Sequence, residues 1–402
     1  MVASHYGFRA WGKPEELRME TTGDRWIGRG EALDRLGVKA QTLYAYVSRG
    51  RIAARPDPND PRRSLYAVRD IARLTGDVVD DAAAPRPDEH GPAARGEADL
   101  VTSVSVIASD RLFYRGLDAV QLSTSATLED VARTLWGART ANPFAEIKPR
   151  VGVTPGGSPR ARLFTALSRR AEEDADAKPR DAQALRIECA RVLDEAVDAV
   201  AGPGPRLFLH QRLARFWKAP ERDAQLIRRA LVLSADAGMD AAVMATRAAA
   251  GGGASPAAAA LSGLAVLTAS RAVGEAAAAS NWINAARRAP AEAVRDASSA
   301  GFGDADWPSG DPRAAALLDA ADLPVDLARV LREGEAAVGR PPGFALALAA
   351  VARRMELPRD AAQDLLLTGR LAGLLAQAID QMLDGSPIRA RLRYVGPEPG
   401  AH

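Results

Sequence analysis

Leu231-Val-Leu-Ser-Ala-Asp-Ala-Gly-Met-Asp240 is the stretch on which the fold turns. It lies inside a long helical pattern. Beyond residue 155 the sequence is almost wholly helical in periodicity, with breaks at Gly202–Pro205, Gly251–Gly253, Pro308–Pro312 and Arg340–Pro342. Immediately downstream, Ala241–Gly253 reads as a helix of small residues. Ala258–Leu267 then leads into Leu267-Thr-Ala-Ser-Arg-Ala-Val-Gly-Glu-Ala276. Helices this rich in Ala and Gly let backbones approach closely, which suits a tightly packed helical dimer. No internal repeat is evident.

Further segments fix the order. Val101–Gly116 alternates β-branched residues and predicts a small hairpin, and Leu128-Glu-Asp-Val-Ala-Arg-Thr-Leu-Trp136 predicts a helix. Gly301-Phe-Gly-Asp-Ala-Asp-Trp-Pro-Ser-Gly-Asp-Pro-Arg-Ala314, Arg340-Pro-Pro-Gly-Phe344, Gly369-Arg-Leu-Ala-Gly-Leu-Leu375 and Ile388-Arg-Ala-Arg-Leu-Arg-Tyr-Val-Gly396 follow in turn.

In order and spacing these segments resemble citrate synthases over roughly residues 100–396. Those enzymes read L-x-L-H-A-D-H-E-x-N where this chain has Leu231–Asp240, so Ser234 and Ala237 stand at the two histidine positions. The second catalytic segment of the family, L-x-G-P-L-H-G-G-A-N, places its histidine on Ala272, or on Arg271 if the register slips by one. The family's catalytic Asp, in P-N-V-D-F, falls on Gly343. The family's G-F-G-H motif, whose His touches a substrate carboxylate, has Asp304 in that place. Asp311 and Arg313 match a D-P-R turn that reads as structural. Arg370 matches a carboxylate-clamping arginine, and Arg389 one that would reach across a dimer into the partner's site. For both arginines the alternative is a guanidinium held by local carboxylates.

The family's reaction condenses an acetyl thioester with oxaloacetate, the condensing step of the tricarboxylic acid cycle. It needs a carboxylate to take a methyl proton and two imidazoles to stabilise and protonate developing oxyanions. Each such role contributes ~10²–10⁴-fold. Ala237, Ala272 and Gly343 offer neither proton nor lone pair. The chain has 4 histidines. His5 and His402 lie in tails and His90 in a linker, so only His210 sits in the body, where it is expected to be solvated or capping.

The N-terminal part reads differently. Residues 25–75 hold eleven Lys/Arg and five acids, a net +6, while the remainder nets −4. Arginine greatly outnumbers lysine throughout, which coding bias explains as well as binding does. A short amphipathic helix carrying Ala32, Leu33 and Leu36 stops at Gly37. Ala40–Gly50 forms a second, Arg51–Tyr66 a hairpin, and Ala67–Leu74 a closing helix. This resembles the MerR/excisionase winged helix-turn-helix. The resemblance puts Gln41, Thr42, Tyr44 and Tyr46 on or near a recognition helix and Arg49, Arg51, Arg62 and Arg63 against phosphates. The alternative is a docking or dimerising module with a solvated basic face.

The expected organisation is a flexible tail (1–24), a winged helix-turn-helix (25–76), a Pro/Gly-rich linker (77–99) and a citrate-synthase-like domain (100–396). The fold class is mainly α: an all-helical two-subdomain body behind a small winged helix-turn-helix. One cysteine, Cys189, excludes a disulfide framework and fits a cytoplasmic setting. No apolar run approaches ~20 residues, and the polar N-terminus lacks a signal-peptide core. No metal or resident cofactor is expected; a CoA thioester or dicarboxylate enters only as a ligand. Three functions remain open. The first is an inactive regulatory subunit, as a homodimer or paired with an active homologue, whose head touches DNA. The second is an active citrate or 2-methylcitrate synthase with a rebuilt site. The third is a transcriptional regulator that uses the body to dimerise.

Overall fold

The computed structural model describes residues 26–38, 40–48, 52–57, 60–68, 70–71, 100–138, 141–145, 147, 154–174, 181–202, 207–385 and 387–388. The chain divides into two compact units, Met1–Glu97 and Ala98–His402.

In the first unit, β1 (Trp26–Gly28) leads into α1 (Arg29–Leu36) and α2 (Ala40–Ser48), followed by β2 (Ala54–Asp57) and β3 (Asp60–Ala67). Gly37 ends α1 in the left-handed region (φ 62°), where a side chain would be strained, and its N–H donates to the Leu33 carbonyl at 2.9 Å. The three strands are antiparallel in the order β1-β3-β2, with Ile27 and Ala54 both opposite Tyr66. Ala32, Leu43, Ile52, Tyr66 and Ile71 form a small core of their own. The sequence reading placed Trp26 ahead of the first helix without a strand, and started the last helix at Ala67. The structure pairs Trp26 with Ala67 across the sheet. Half of the residues of that last helix lie outside the described residues.

The second unit opens with an antiparallel meander of β4 (Ser105–Ala108), β5 (Arg111–Tyr114) and β6 (Leu117–Asp118), matching the predicted hairpin with one further strand. Helices follow. Those that position the cavity are α4 (Leu128–Leu135), α8 (Glu221–Leu233), α9 (Ala241–Gly251), α10 (Pro256–Thr268), α11 (Arg271–Arg288), α15 (Phe344–Arg354) and α16 (Ala361–Asp384). α16 is the axis of the unit. It is buried on nearly every side and packs against α4, α8, α9, α10, α11 and α15.

Its neighbours come close because glycine lets them. A Cβ on Gly369 would lie 2.6 Å from Ser234 Cβ, and one on Gly373 would lie 2.1 Å from the Ala235 carbonyl oxygen. α9 and α10 touch at Gly263, whose Cβ would meet Thr246 Oγ1 at 2.0 Å. The Trp136 indole, wholly buried, donates to the Ala372 carbonyl at 3.0 Å and ties α4 to the same axis. Caps set the boundaries. Thr127 and Asp130 form a reciprocal capping box at α4, and Ser255 followed by Pro256 starts α10. Among the described residues, no single helix is long and apolar enough to cross a membrane.

Candidate functional site

The segment after α8 is held from three sides. Tyr114 is fully buried, and its hydroxyl donates to the Val232 carbonyl at 3.1 Å and the Asp236 carbonyl at 3.2 Å. Burial pushes its phenol well above the ordinary range. Gly369 and Gly373 press from below. Gly238 turns the chain with φ 79°, a conformation that favours glycine. Asp240 then caps α9, accepting from the Val243 N–H at 2.7 Å.

This turn, the start of α11, the loop from Gly301 and the start of α15 enclose a cavity of about 380 Å³. Ser234, Ala237, Ala272, Asp304, Arg313 and Arg370 all line it. Residues scattered over more than 130 positions thus meet around one space. Gly343 stands at its edge, as the N-cap of α15 directly before the lining Phe344. His210 is not part of the cavity lining. It is neither solvated nor a cap but 3% exposed in the first turn of the Leu209–Phe216 helix, stacked on Phe208 at 5.8 Å. Burial, aided by the nearby Arg228, lowers its pKa to about 4, so it is neutral at physiological pH.

The arginines are already engaged. Arg370, 2% exposed, donates through Nη1 to Asp236 and through Nη2 to Asp240 Oδ2 at 2.8 Å. Asp236 is wholly buried and also accepts from Gln377 Nε2 at 3.1 Å and from the Ala237 N–H at 2.7 Å. Arg313 forks onto Asp311, with Nε at 3.0 Å and Nη2 at 2.7 Å, and lies 4.5 Å over the Phe344 ring. Arg271 pairs with Glu275 at 2.5 Å on the rim. Asp304 and Asp306 add two carboxylates to the lining. Asp304 Oδ1 accepts the Asp306 N–H at 2.9 Å, so its carboxylate shapes its own loop.

Gly343 sits where two loops meet. Its N–H donates to the Gly301 carbonyl at 2.9 Å while the Gly303 N–H donates to the Pro341 carbonyl at 2.7 Å. The two loops are zipped together, and a Cβ on Gly343 would stand 2.8 Å from the Gly301 carbonyl oxygen.

A family model for the citrate synthase C-terminal domain matches residues 152–391. The chain belongs to the citrate synthase family. Solved citrate synthases share its fold. That of Thermotoga maritima MSB8 superposes with a TM-score of 0.60 at 18% identity, over 75% of this chain and 95% of that one. The enzyme of Pyrobaculum aerophilum gives 0.58 at 17%, over 75% and 91%. That of Thermoplasma acidophilum, in a ternary complex with carboxymethyl coenzyme A and oxaloacetate, gives 0.57 at 17%, over 74% and 94%. At such identities the likeness establishes the fold alone. No curated protein sequence matches the chain.

The sequence reading missed Asp236, Asp240, Glu275 and Asp306 as part of this site. Their signal was available, because Asp236 and Asp240 lie within the stretch Leu231–Asp240 and offer carboxylate partners for Arg370. Arg389 lies outside the described residues. In the N-terminal unit, Gln41 and Tyr44 are exposed and Thr42 is half-buried, while Tyr46 packs against the unit's core. Arg29 lies 5.3 Å over the Tyr44 ring, and Arg63 is exposed beside Asp60 at 3.2 Å. Arg49, Arg51 and the side chain of Arg62 lie outside the described residues.

Proposed function

We propose that this citrate synthase family member is not itself a catalyst but a regulatory or structural subunit, paired with itself or with an active homologue, whose basic head contacts DNA. The observation that carries the reading is the lining of the cavity. Ala237 and Ala272, which the family resemblance assigns to imidazoles, line it, Gly343, which it assigns to a carboxylate, stands at the edge before Phe344, and no imidazole stands in for them among the lining residues. Carboxylates that could accept a proton are present, but they meet oxaloacetate with like charge. Arg313 and Arg370, the cations that would oppose this, are neutralised by Asp311, Asp236 and Asp240. Stabilising an enolate needs preorganised donors aimed at the oxyanion, and here the guanidiniums aim at the protein's own carboxylates.

In a pair, Arg389 is the residue by which this chain would complete a partner's site. A short pair of helices, a sharp glycine turn and an adjoining hairpin support the reading of the head as a winged helix-turn-helix, with Gln41 and Tyr44 on its exposed face. The test is to add the purified chain to an active citrate synthase homologue and follow thiol release from acetyl-CoA and propionyl-CoA with oxaloacetate. A changed rate or KM for the homologue, with co-elution of the two chains, is the expected result for a heteromeric subunit. An unchanged rate without co-elution would restrict the reading to a self-paired protein.

A further inference from the structure

A line of hydrogen-bonded polar groups runs from the cavity to the residues with which the second unit begins. Asp236, paired with Arg370 at the cavity, accepts from Gln377 Nε2 at 3.1 Å, and Gln377 Oε1 accepts from Arg247 Nη1 at 3.1 Å. Arg247 also donates to Asp380 Oδ2 at 3.0 Å and, through Nη2, to the Val101 carbonyl at 3.0 Å. Asp380 Oδ1 in turn accepts from the Ser103 hydroxyl at 2.8 Å, and Arg115 donates to the same hydroxyl at 2.9 Å. Arg370, Gln377 and Asp380 all lie on α16, and Arg247 on α9. Gln377 and Arg247 are only 1% and 2% exposed, so water cannot stand in for a lost partner in the middle of the line.

The two ends differ. At the cavity the groups are buried and fully engaged. At the other end, residues 101–103 belong to no helix or strand, and all three side chains are exposed, Val101 at 90%. Packing contributes little there, and Arg247, Asp380 and Arg115 supply hydrogen bonds that hold Val101 and Ser103. The boundary between the two units falls between Glu97 and Ala98, just ahead of this segment. Gln377 is the link, because its amide donates to a carboxylate on one side and accepts from a guanidinium on the other.

We propose that this line couples the state of the Arg370–Asp236 pair in the cavity to the hold on residues 101–103, and so to the tether of the N-terminal unit. An acceptor group that competes with Asp236 for the Arg370 guanidinium frees Asp236 to shift. Gln377 then loses its fixed acceptor, Arg247 loses its fixed Gln377 oxygen, and the anchors of Val101 and Ser103 weaken in turn. The proposal stands whether or not the protein is catalytic and whether or not its head binds DNA.

Electron paramagnetic resonance of the full chain, with a nitroxide attached through Val101→Cys, tests it. The natural cysteine, Cys189, is wholly buried and is spared by the label. Arg370→Lys keeps the charge but not the fork onto Asp236 and Asp240, and should raise the ratio of mobile to immobile label by about twofold or more. Gln377→Met should do the same, and the double variant should be no more mobile than Gln377→Met alone. Arg313→Lys, an equal change at the cavity's other engaged arginine, should leave the label as in the parent. Coupling is reciprocal, so Ser103→Ala at the exposed end should speed hydrogen exchange at the Ala237 amide, which donates to Asp236. That second measurement decides the matter if Arg370→Lys does not fold. The proposal is overturned by a label indifferent to Arg370→Lys, by equal mobility in Arg313→Lys, by mobility that adds in the double variant, or by unchanged Ala237 exchange in Ser103→Ala.

Discussion

A Cβ on Gly343 would stand 2.8 Å from the Gly301 carbonyl oxygen, so this position cannot accept a carboxylate side chain without moving a loop. Two backbone hydrogen bonds hold that loop in place. Gly343→Asp is expected to destabilise the protein by about 1–3 kcal/mol, as overpacking does, read as a lower denaturation midpoint at unchanged slope. The triple change Ala237→His, Ala272→His and Gly343→Asp should yield no condensation, because the cavity's carboxylates and engaged arginines remain. The family and its fold were legible in the sequence, as a known order and spacing of segments. Which carboxylates engage Arg370 was not. Pairing Arg370 with Asp236 and Asp240 requires the turn at Gly238 and the axis of α16 to be in place together, and no local pattern announces that.

Between elements, the axis helix α16 approaches the 231–236 segment through Gly369 and Gly373. Gly373→Ala would drive a methyl into the Ala235 carbonyl, 2.1 Å away, and push against Asp236. The expected cost is about 1–3 kcal/mol. Differential scanning calorimetry should find a lowered Tm for this change and almost none for Gly274→Ala, where a Cβ meets nothing within 4 Å. The helices were readable from periodicity and caps, and the β4–β5 hairpin from alternation. Trp26–Gly28 was not readable as a strand, since three residues carry too little alternation and the partner lies some forty positions away in β3. Likewise, the sequence reads His210 as solvated or capping, whereas it stacks on Phe208 and its helix packs so as to bury it.

At the scale of the molecule, two buried groups make stability depend on pH in opposite directions. Burial lowers His210 from 6.5 to about 4, so its contribution is present above pH 6.5 and is lost as pH falls toward 4. Burial, reinforced by Asp360 and opposed by Arg160 and Arg162, raises Asp364 from 3.8 to about 7. The folded state then holds that proton more tightly than the unfolded chain, and stability is lost as pH rises from about 4 to 7. Each effect is on the order of a few kcal/mol, and the two largely offset each other in the parent protein. Chemical denaturation across this window should show stability rising with pH in Asp364→Asn and falling with pH in His210→Gln. A shared slope in both variants would contradict the assignment.

The head makes a separate prediction. Its net charge of +6 over residues 25–75 should give DNA binding whose affinity falls steeply with salt, and Gln41→Ala with Tyr44→Ala should weaken the preferred site more than random DNA. Binding that ignores both salt and these changes would remove the DNA-contact reading and leave a docking module. The most direct measurement is condensation by the purified chain alone, with thiol release followed from acetyl-CoA and propionyl-CoA in the presence of oxaloacetate. The expected result is no release above the protein-free background at any substrate concentration. Sustained turnover that copurifies with the chain would contradict it and place the acid and base among the carboxylates of the cavity.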